Sequence, residues 1–252
     1  MIRQVELFLC AVQFLTRLPM PELKRFEPDW VTRSARYFPL VGQVVGGLSA
    51  VVLIVAAQLW GGWVPVLLAL AVGLLITGCF HEDGLADSFD GLGGGQTPER
   101  RLEIMKDSRL GTYGALAVVM VLALKAAALA TLPAPWMAAT ALLAAHGVGR
   151  AAAVVTMRLT PYAGDGDGAK WKPLPRGVRT WETLVAVALA AWPLVFLPLP
   201  AVSAGLAFGA VLAALLALAA RRLIGGHTGD VLGGVEQLFE LGFLLGVAAV
   251  LA

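Results

Sequence analysis

Long apolar runs alternate with short turns and with charged loops, and this alternation predicts helices that cross a bilayer. A crossing takes about 20 apolar residues. Residues 37–60, 63–80, 111–132, 135–157, 183–197 and 201–220 meet or approach that length, and 235–252 is a shorter seventh segment. Residues 5–18 are too short and too polar to span; they read as an interfacial or partly inserted helix. Gly61-Gly62, Pro133-Ala134 and 198–200 form short uncharged joins, whereas 81–110, 158–182 and 221–234 are long and charged. An up-and-down bundle places the long joins and residues 1–36 on one side. The predicted architecture is an all-α polytopic membrane helix bundle with six or seven transmembrane helices and an N-terminal interfacial helix. It forms one integral-membrane domain over 1–252.

Composition narrows the class further. Hydrophobic residues make up 58 % of the 252 residues and charged residues 14 %, with a mean hydropathy of +0.79. Soluble domains are about 45–50 % apolar and about 25 % charged, so a soluble enzyme is excluded. The net charge of +2 does not point to nucleic acid. Cys10 and Cys79 have no CxxC partner and read as small apolar residues. The N-terminal run carries Glu6 and leads to no small-residue cleavage site, so no signal peptide is expected.

Charge tests the topology. Of 19 Lys and Arg, 17 fall in 1–36 and the long joins, leaving Lys125 and Arg150 within spans. The positive-inside rule makes that side cytoplasmic. Lys125 lies toward the far end of its span, where its side chain can snorkel outward. The 17 acidic residues also fall on or near the charged side, seven of them in 81–110. GxxxG pairs at Gly42/Gly46, Gly205/Gly209 and Gly242/Gly246 permit close helix approach.

The chemistry concentrates in the charged joins. Asp83, Asp87 and Asp90 are spaced i, i+4, i+7, so on a helix they share one face, with Glu82 beside them at the membrane boundary. Like charges so placed repel, and a cation relieves them. Carboxylates without a His/Cys pattern favour a hard ion such as Mg²⁺. The alternative is a solvated acidic helix start. His81 fits a ligand, a base or a boundary residue, and the glycines of 91–95 fit a mobile loop or a close approach to phosphate. Lys106 and Arg109 suit a diphosphate beside a metal, or else belong to a basic loop. The segment 161–168 carries Asp165 and Asp167 and reads as a plain loop rather than a second metal site. Glycines around His227 suggest a tight turn that presents Asp230. Glu236 and Glu240, and His146 and Arg150, are i, i+4 pairs inside spans, where ionisable side chains are functional candidates.

The runs HEDGLADSFDG at 81–91, RLEIMKDSRLGTYG at 101–114 and GGHTGDVLGGVEQLFE at 225–240 resemble the cobalamin synthase family, the adenosylcobinamide-GDP ribazoletransferases. FLTRLPMP at 14–21 and RYFPLVG at 36–42 are similar to its N-terminal signature. The resemblance covers most of the chain in order. It departs at 161–168: a basic residue is expected soon after Pro161-Tyr162, but Gly164, Asp165 and Asp167 stand there.

The resemblance implies a Mg²⁺-dependent, multi-pass enzyme of the bacterial inner membrane with its active face cytoplasmic. Adenosylcobinamide-GDP is joined to α-ribazole or its 5′-phosphate; the ribose 3′-hydroxyl attacks the cobinamide-linked phosphorus and GMP leaves. Glu82, Asp83, Asp87 and Asp90 are then the metal-binding candidates. Lys106, Arg109, His227 and Arg150 are the substrate-binding candidates, and Asp90 is the catalytic base with Asp230 as its competitor. The bilayer is the other partner, and assembly into a homo-oligomer stays open. Two rival classes stand beside it. Asp87-x-x-Asp90-Gly91 matches the opening of the CDP-alcohol phosphotransferase motif, but its Ala-Arg is replaced by Leu92-Gly93-Gly94. A transporter would place its carboxylates near the midplane rather than at one face.

Overall fold

The structure, a computed structural model, describes residues 2–21, 27, 29–164 and 177–252. The described residues form helices α1 (Ile2–Leu15), α2 (Trp30–Ser34), α3 (Phe38–Ala56), α4 (Val64–Thr77), α5 (Phe80–Gly94), α6 (Pro98–Lys106), α7 (Thr112–Thr131), α8 (Pro135–Leu159), α9 (Thr180–Ala191), α10 (Leu199–Ile224) and α11 (Gly229–Leu251). A 3-10 turn, Ala35–Tyr37, joins α2 to α3, and another, Trp192–Phe196, extends α9. Among the described residues five helical segments are long and apolar enough to cross a membrane, starting with the continuous Trp30–Ala56. The predicted all-α membrane bundle is therefore the observed class. Asp165 and Asp167 lie outside the described residues.

The short joins work as read from the sequence. Proline sits in the first turn of α4, α8 and α10, where its missing N–H costs nothing. The second span departs from expectation. It ends at Thr77 rather than residue 80, because Gly78 and Cys79 are both left-handed (φ 65° and 59°). The chain there turns by 87° into α5. The 14 residues of α4 extend only about 21 Å at ~1.5 Å per residue. α4 is the apolar piece of this bent pair, and α5 turns from it to pack along α7 and α11, with Leu85 against Val121 and Leu241 and with Asp90 at the charged start of α7.

α8 sits at the centre and α10 at the rim: 72 % of the most apolar window of α8 is buried, against 33 % for α10. The outer faces stay apolar, with Leu116, Val119, Leu199 and Leu215 all exposed, as lipid contact requires. Small residues set the tight crossings. A Cβ at Gly42 would meet the Arg150 side chain, one at Gly205 would meet the Phe243 ring, and one at Gly242 would meet the backbone of Gly209. At the charged end, Glu182 of α9 is fully buried; it accepts from Arg33 Nη1 at 2.7 Å and forms an ion pair with Arg36 Nη2 at 3.3 Å. These bonds lock the start of the first span to α9. α1 packs Ala11, Val12 and Leu15 against Phe38, Val41 and Val154.

Candidate active site

α5 crosses α11 at Gly84, where a Cβ would stand 2.8 Å from the carbonyl oxygen of Asp230. This contact brings Asp230 to the acidic face of α5. Burial, then the negative charges of Asp83, Asp230 and Asp90, push the Asp87 carboxyl up to about 7. Four aspartates thus converge from two helices. Glu82, also expected to bind metal, points away from these four. Successive helical residues point about 100° apart, and Glu82 Oε1 instead accepts from Gln237 Nε2 at 2.8 Å in the interior.

Asp90 has a role not legible beforehand. Its Oδ2 accepts the backbone N–H of Gly111 at 2.8 Å and its Oδ1 that of Gly114 at 2.9 Å. It therefore caps α7, whose N-terminal end attracts an anion. A Cβ at either glycine would collide with this carboxylate. The GTYG tetrapeptide at 111–114 is the signal that could have disclosed the cap.

The turn before α11 is built around two side chains. Thr228 caps the helix by accepting from Val231 N at 3.2 Å, and Asp230 follows in the first turn. His227 pairs with the segment after α8: its N–H donates to Pro161 O at 2.9 Å, and Ala163 N donates to its carbonyl at 2.9 Å. Thr160 Oγ1 donates to Thr156 O at 2.8 Å, so it accepts from His227 Nδ1, also 2.8 Å away. Burial holds the imidazole down to about 4. The ring is neutral at pH 7 and Nε2 is a bare acceptor, buried with no partner.

Below this layer lies an ionic core that joins α5, α7, α8 and α11. Lys125 does not snorkel outward as expected; it is buried, donating to Glu240 at 2.7 Å and Gln237 at 2.6 Å. Arg150 Nη1 stands 2.7 Å from Glu236 Oε1 and 3.3 Å from Glu240 Oε1, and His146 Nδ1 2.8 Å from the latter. Burying such charges is costly unless they are paired, and each has its counter-charge here. Glu236 and Glu240 thereby leave the charged face for the interior. Gln237, whose amide links Lys125, Glu82 and Glu236, is the member that sequence reasoning missed.

The cationic candidates are divided: Met105, next to Lys106, reaches the turn before α11 through Thr228 Oγ1 at 4.0 Å. Arg109 is exposed and clasps Asp107, at 2.6 Å from Nη2; that contact holds the Asp107 carboxyl below its ordinary range. Lys106 is exposed at the end of α6. Arg150 is in the ionic core rather than on the acidic face.

Two groups bear on metal binding. Among the described residues, three ligand-bearing side chains come within 4.8 Å of one another at His146, Glu236 and Glu240. Arg150 and Lys125 already neutralise that group. The aspartate group offers oxygen donors only, and among the described residues no ion pair holds Asp83 or Asp87. Its charge excess is expressed in the raised Asp87 carboxyl.

A family model described as cobalamin-5-phosphate synthase matches residues 7–248. A protein of Leptothrix cholodnii named adenosylcobinamide-GDP ribazoletransferase is 46 % identical, the match covering 98 % of this chain and 96 % of the relative. One of the same name from Shewanella baltica is 43 % identical over 95 % of this chain and 92 % of its own. No solved structure matches the chain. With its family motifs brought together where α5 meets α11, and with similarity running nearly end to end, this chain belongs to the cobalamin-5-phosphate synthase family.

Proposed function

We propose that this protein is an adenosylcobinamide-GDP ribazoletransferase that works at the cytoplasmic face of a bacterial inner membrane with Mg²⁺. The observation that carries the chemistry is the convergence of Asp83, Asp87, Asp90 and Asp230 at the crossing of α5 and α11. Breaking a diphosphate requires neutralising its oxygens and supplying a base for the attacking alcohol. Mg²⁺, when bound, supplies that neutralisation at the diphosphate. Asp83 and Asp87 would hold it, and Lys106 and Arg109 on the neighbouring loop would add positive charge to the leaving nucleotide.

Asp90 is committed to α7 through both oxygens and positions α5 rather than moving the proton. Asp230, on the facing helix, takes the proton from the ribose hydroxyl at a carboxylate oxygen. His227 Nε2, a fixed acceptor beside this turn, orients a substrate hydroxyl. Basic residues crowd the aspartate end, which supports a cytoplasmic site.

The test is GMP release from adenosylcobinamide-GDP and α-ribazole by the purified full chain in detergent, with Mg²⁺ and with EDTA. Metal-dependent GMP release with formation of the joined product is the expected result. Release of CMP from a CDP-alcohol instead would overturn the reading.

A further inference from the structure

We propose that Gln237 is a positioning residue for the aspartate site: its side-chain amide fixes the register of α5 against α11, and with it the separation of Asp83 and Asp87 from Asp230. The inference rests on the proposed Mg²⁺-dependent ribazoletransferase activity and deepens it. The two helices meet on glycines. A Cβ at Gly84 would stand 2.8 Å from the Asp230 carbonyl oxygen, one at Gly233 3.1 Å from the His81 carbonyl oxygen, and one at Gly234 3.5 Å from Leu85 Cα. Such a face lets the backbones approach closely. It also lacks the side-chain ridges that interdigitate and oppose sliding. Register at this crossing therefore depends on side chains that bridge the helices beside the glycines.

Gln237 is such a bridge, and it is buried. Its Nε2 donates to Glu82 Oε1 of α5 at 2.8 Å and to Glu236 Oε2 of its own helix at 2.9 Å, and its Oε1 accepts from Lys125 Nζ of α7 at 2.6 Å. Both amide protons and the oxygen are thus engaged. The amide has one orientation: turned over, it would set its oxygen against two carboxylates and its NH₂ against an ammonium. A buried amide is costly unless its groups are bonded, so a slide of α5 that breaks the Glu82 bond is opposed. The apolar contacts of Leu85 with Val121 and Leu241 are non-directional and set no such stop.

Position connects this bond to the site. Gln237 follows Asp230 by seven residues, so the two share a face of α11 about 10 Å apart along its axis. Glu82 directly precedes Asp83, and Asp87 lies about one turn further on. A displacement at Gln237 therefore reaches the carboxylates through less than two turns of either helix. Misplacing reacting groups by about 1 Å costs on the order of 10²-fold. Asp90 holds the later turns of α5 to the start of α7, and Gln237 holds its first turn to α11.

The experiment uses the full chain in detergent and two readouts besides turnover. Mn²⁺ binding, followed by loss of the free-ion EPR signal, gives the Kd of the aspartate site. Pulsed EPR between nitroxides on Gly94→Cys of α5 and Gly229→Cys of α11, both exposed positions, gives the distance between the helices in a background lacking Cys10 and Cys79. In Gln237→Leu the distance distribution should broaden and the Mn²⁺ Kd should rise at least about tenfold, the lower end of what disturbing the groups that orient metal ligands costs. Gln237→Asn, too short to bridge but still polar, should do the same and is the second variant if Gln237→Leu does not fold. The exchange Glu82→Gln/Gln237→Glu keeps the net charge and rebuilds the bond with donor and acceptor reversed, so it should recover most of both losses. A merely structural Gln237 would lower the melting temperature and leave both readouts where they were. Either readout unchanged in folded Gln237→Leu or Gln237→Asn, no recovery on exchange, or no Mn²⁺ binding by wild type overturns the proposal. Wild type that binds Mn²⁺ and releases no GMP refutes the ribazoletransferase reading and leaves the role of Gln237 standing.

Discussion

Lys125 of α7 donates to Glu240 of α11 at 2.7 Å, with both side chains buried inside the helix bundle. Removing one partner of such a pair leaves an uncompensated charge and costs about 3–5 kcal/mol. Lys125→Met should therefore lower the melting temperature in detergent sharply, and Lys125→Met/Glu240→Gln should recover part of the loss. A loss in the double variant equal to the sum of the losses in Lys125→Met and Glu240→Gln would show that the pair contributes nothing.

Asp83→Asn and Asp87→Asn keep side-chain size and remove an anionic oxygen each. Altering even the outer partners of a metal costs ~10–100-fold, so turnover should fall by at least the upper figure. Excess Mg²⁺ should restore part of it. Asp230→Asn should lose activity without rescue, because metal does not replace a proton acceptor. GMP release titrated against Mg²⁺ checks all three, and near-wild-type turnover of Asp83→Asn and Asp87→Asn would end the metal reading.

The Asp87 carboxyl makes stability depend on pH. Its ordinary value of 3.8 rises to about 7 on folding, so the fold favours the protonated form. That contribution is complete below pH 3.8 and is lost as pH rises toward 7. In EDTA the melting temperature should fall between about pH 5 and 8, more for wild type than for Asp87→Asn. Mg²⁺ should raise it more at about pH 8 than at about pH 6, since the ion displaces the proton. The same slope in both proteins would assign the effect to other groups.

His227 should carry its proton on Nδ1 at pH 7 and titrate only near 4. Nitrogen-15 NMR of the labelled imidazole reads both. Its folded value lies below its ordinary 6.5, so its contribution is present above pH 6.5 and is lost as pH falls through 4. Thr160→Val removes the acceptor of the Nδ1 proton, a loss of about 1–3 kcal/mol. A ring that titrates near its ordinary 6.5, or an unaltered melting temperature in Thr160→Val, would contradict the geometry.

In a background lacking Cys10 and Cys79, a cysteine at Gly94 should react only with reagent supplied from the cytoplasm. One at Ala134 should react only from outside. Labelling of position 94 from outside would invert the topology.

Hydropathy and periodicity are local properties, and their consequences were legible in the chain. The spans, the short proline and glycine joins, and the shared face of Asp83, Asp87 and Asp90 are of this kind. Burying apolar side chains and the 3.6-residue turn decide each within a window of about 20 residues. Partners are not local. Nothing in α7 announces that Lys125 turns inward, because its counter-charge lies 115 residues further on. Glu82 and Asp83 are neighbours in sequence, yet one faces the ionic core and the other the aspartate site. Nothing around Asp90 announces that α7 begins against it, at two glycines 21 and 24 residues away. Which helix ends meet, and therefore which charges are paired and which left over for a ligand, was settled by the packing of α5, α7, α8 and α11. In a low-dielectric interior a charge takes whichever partner the packing brings within reach.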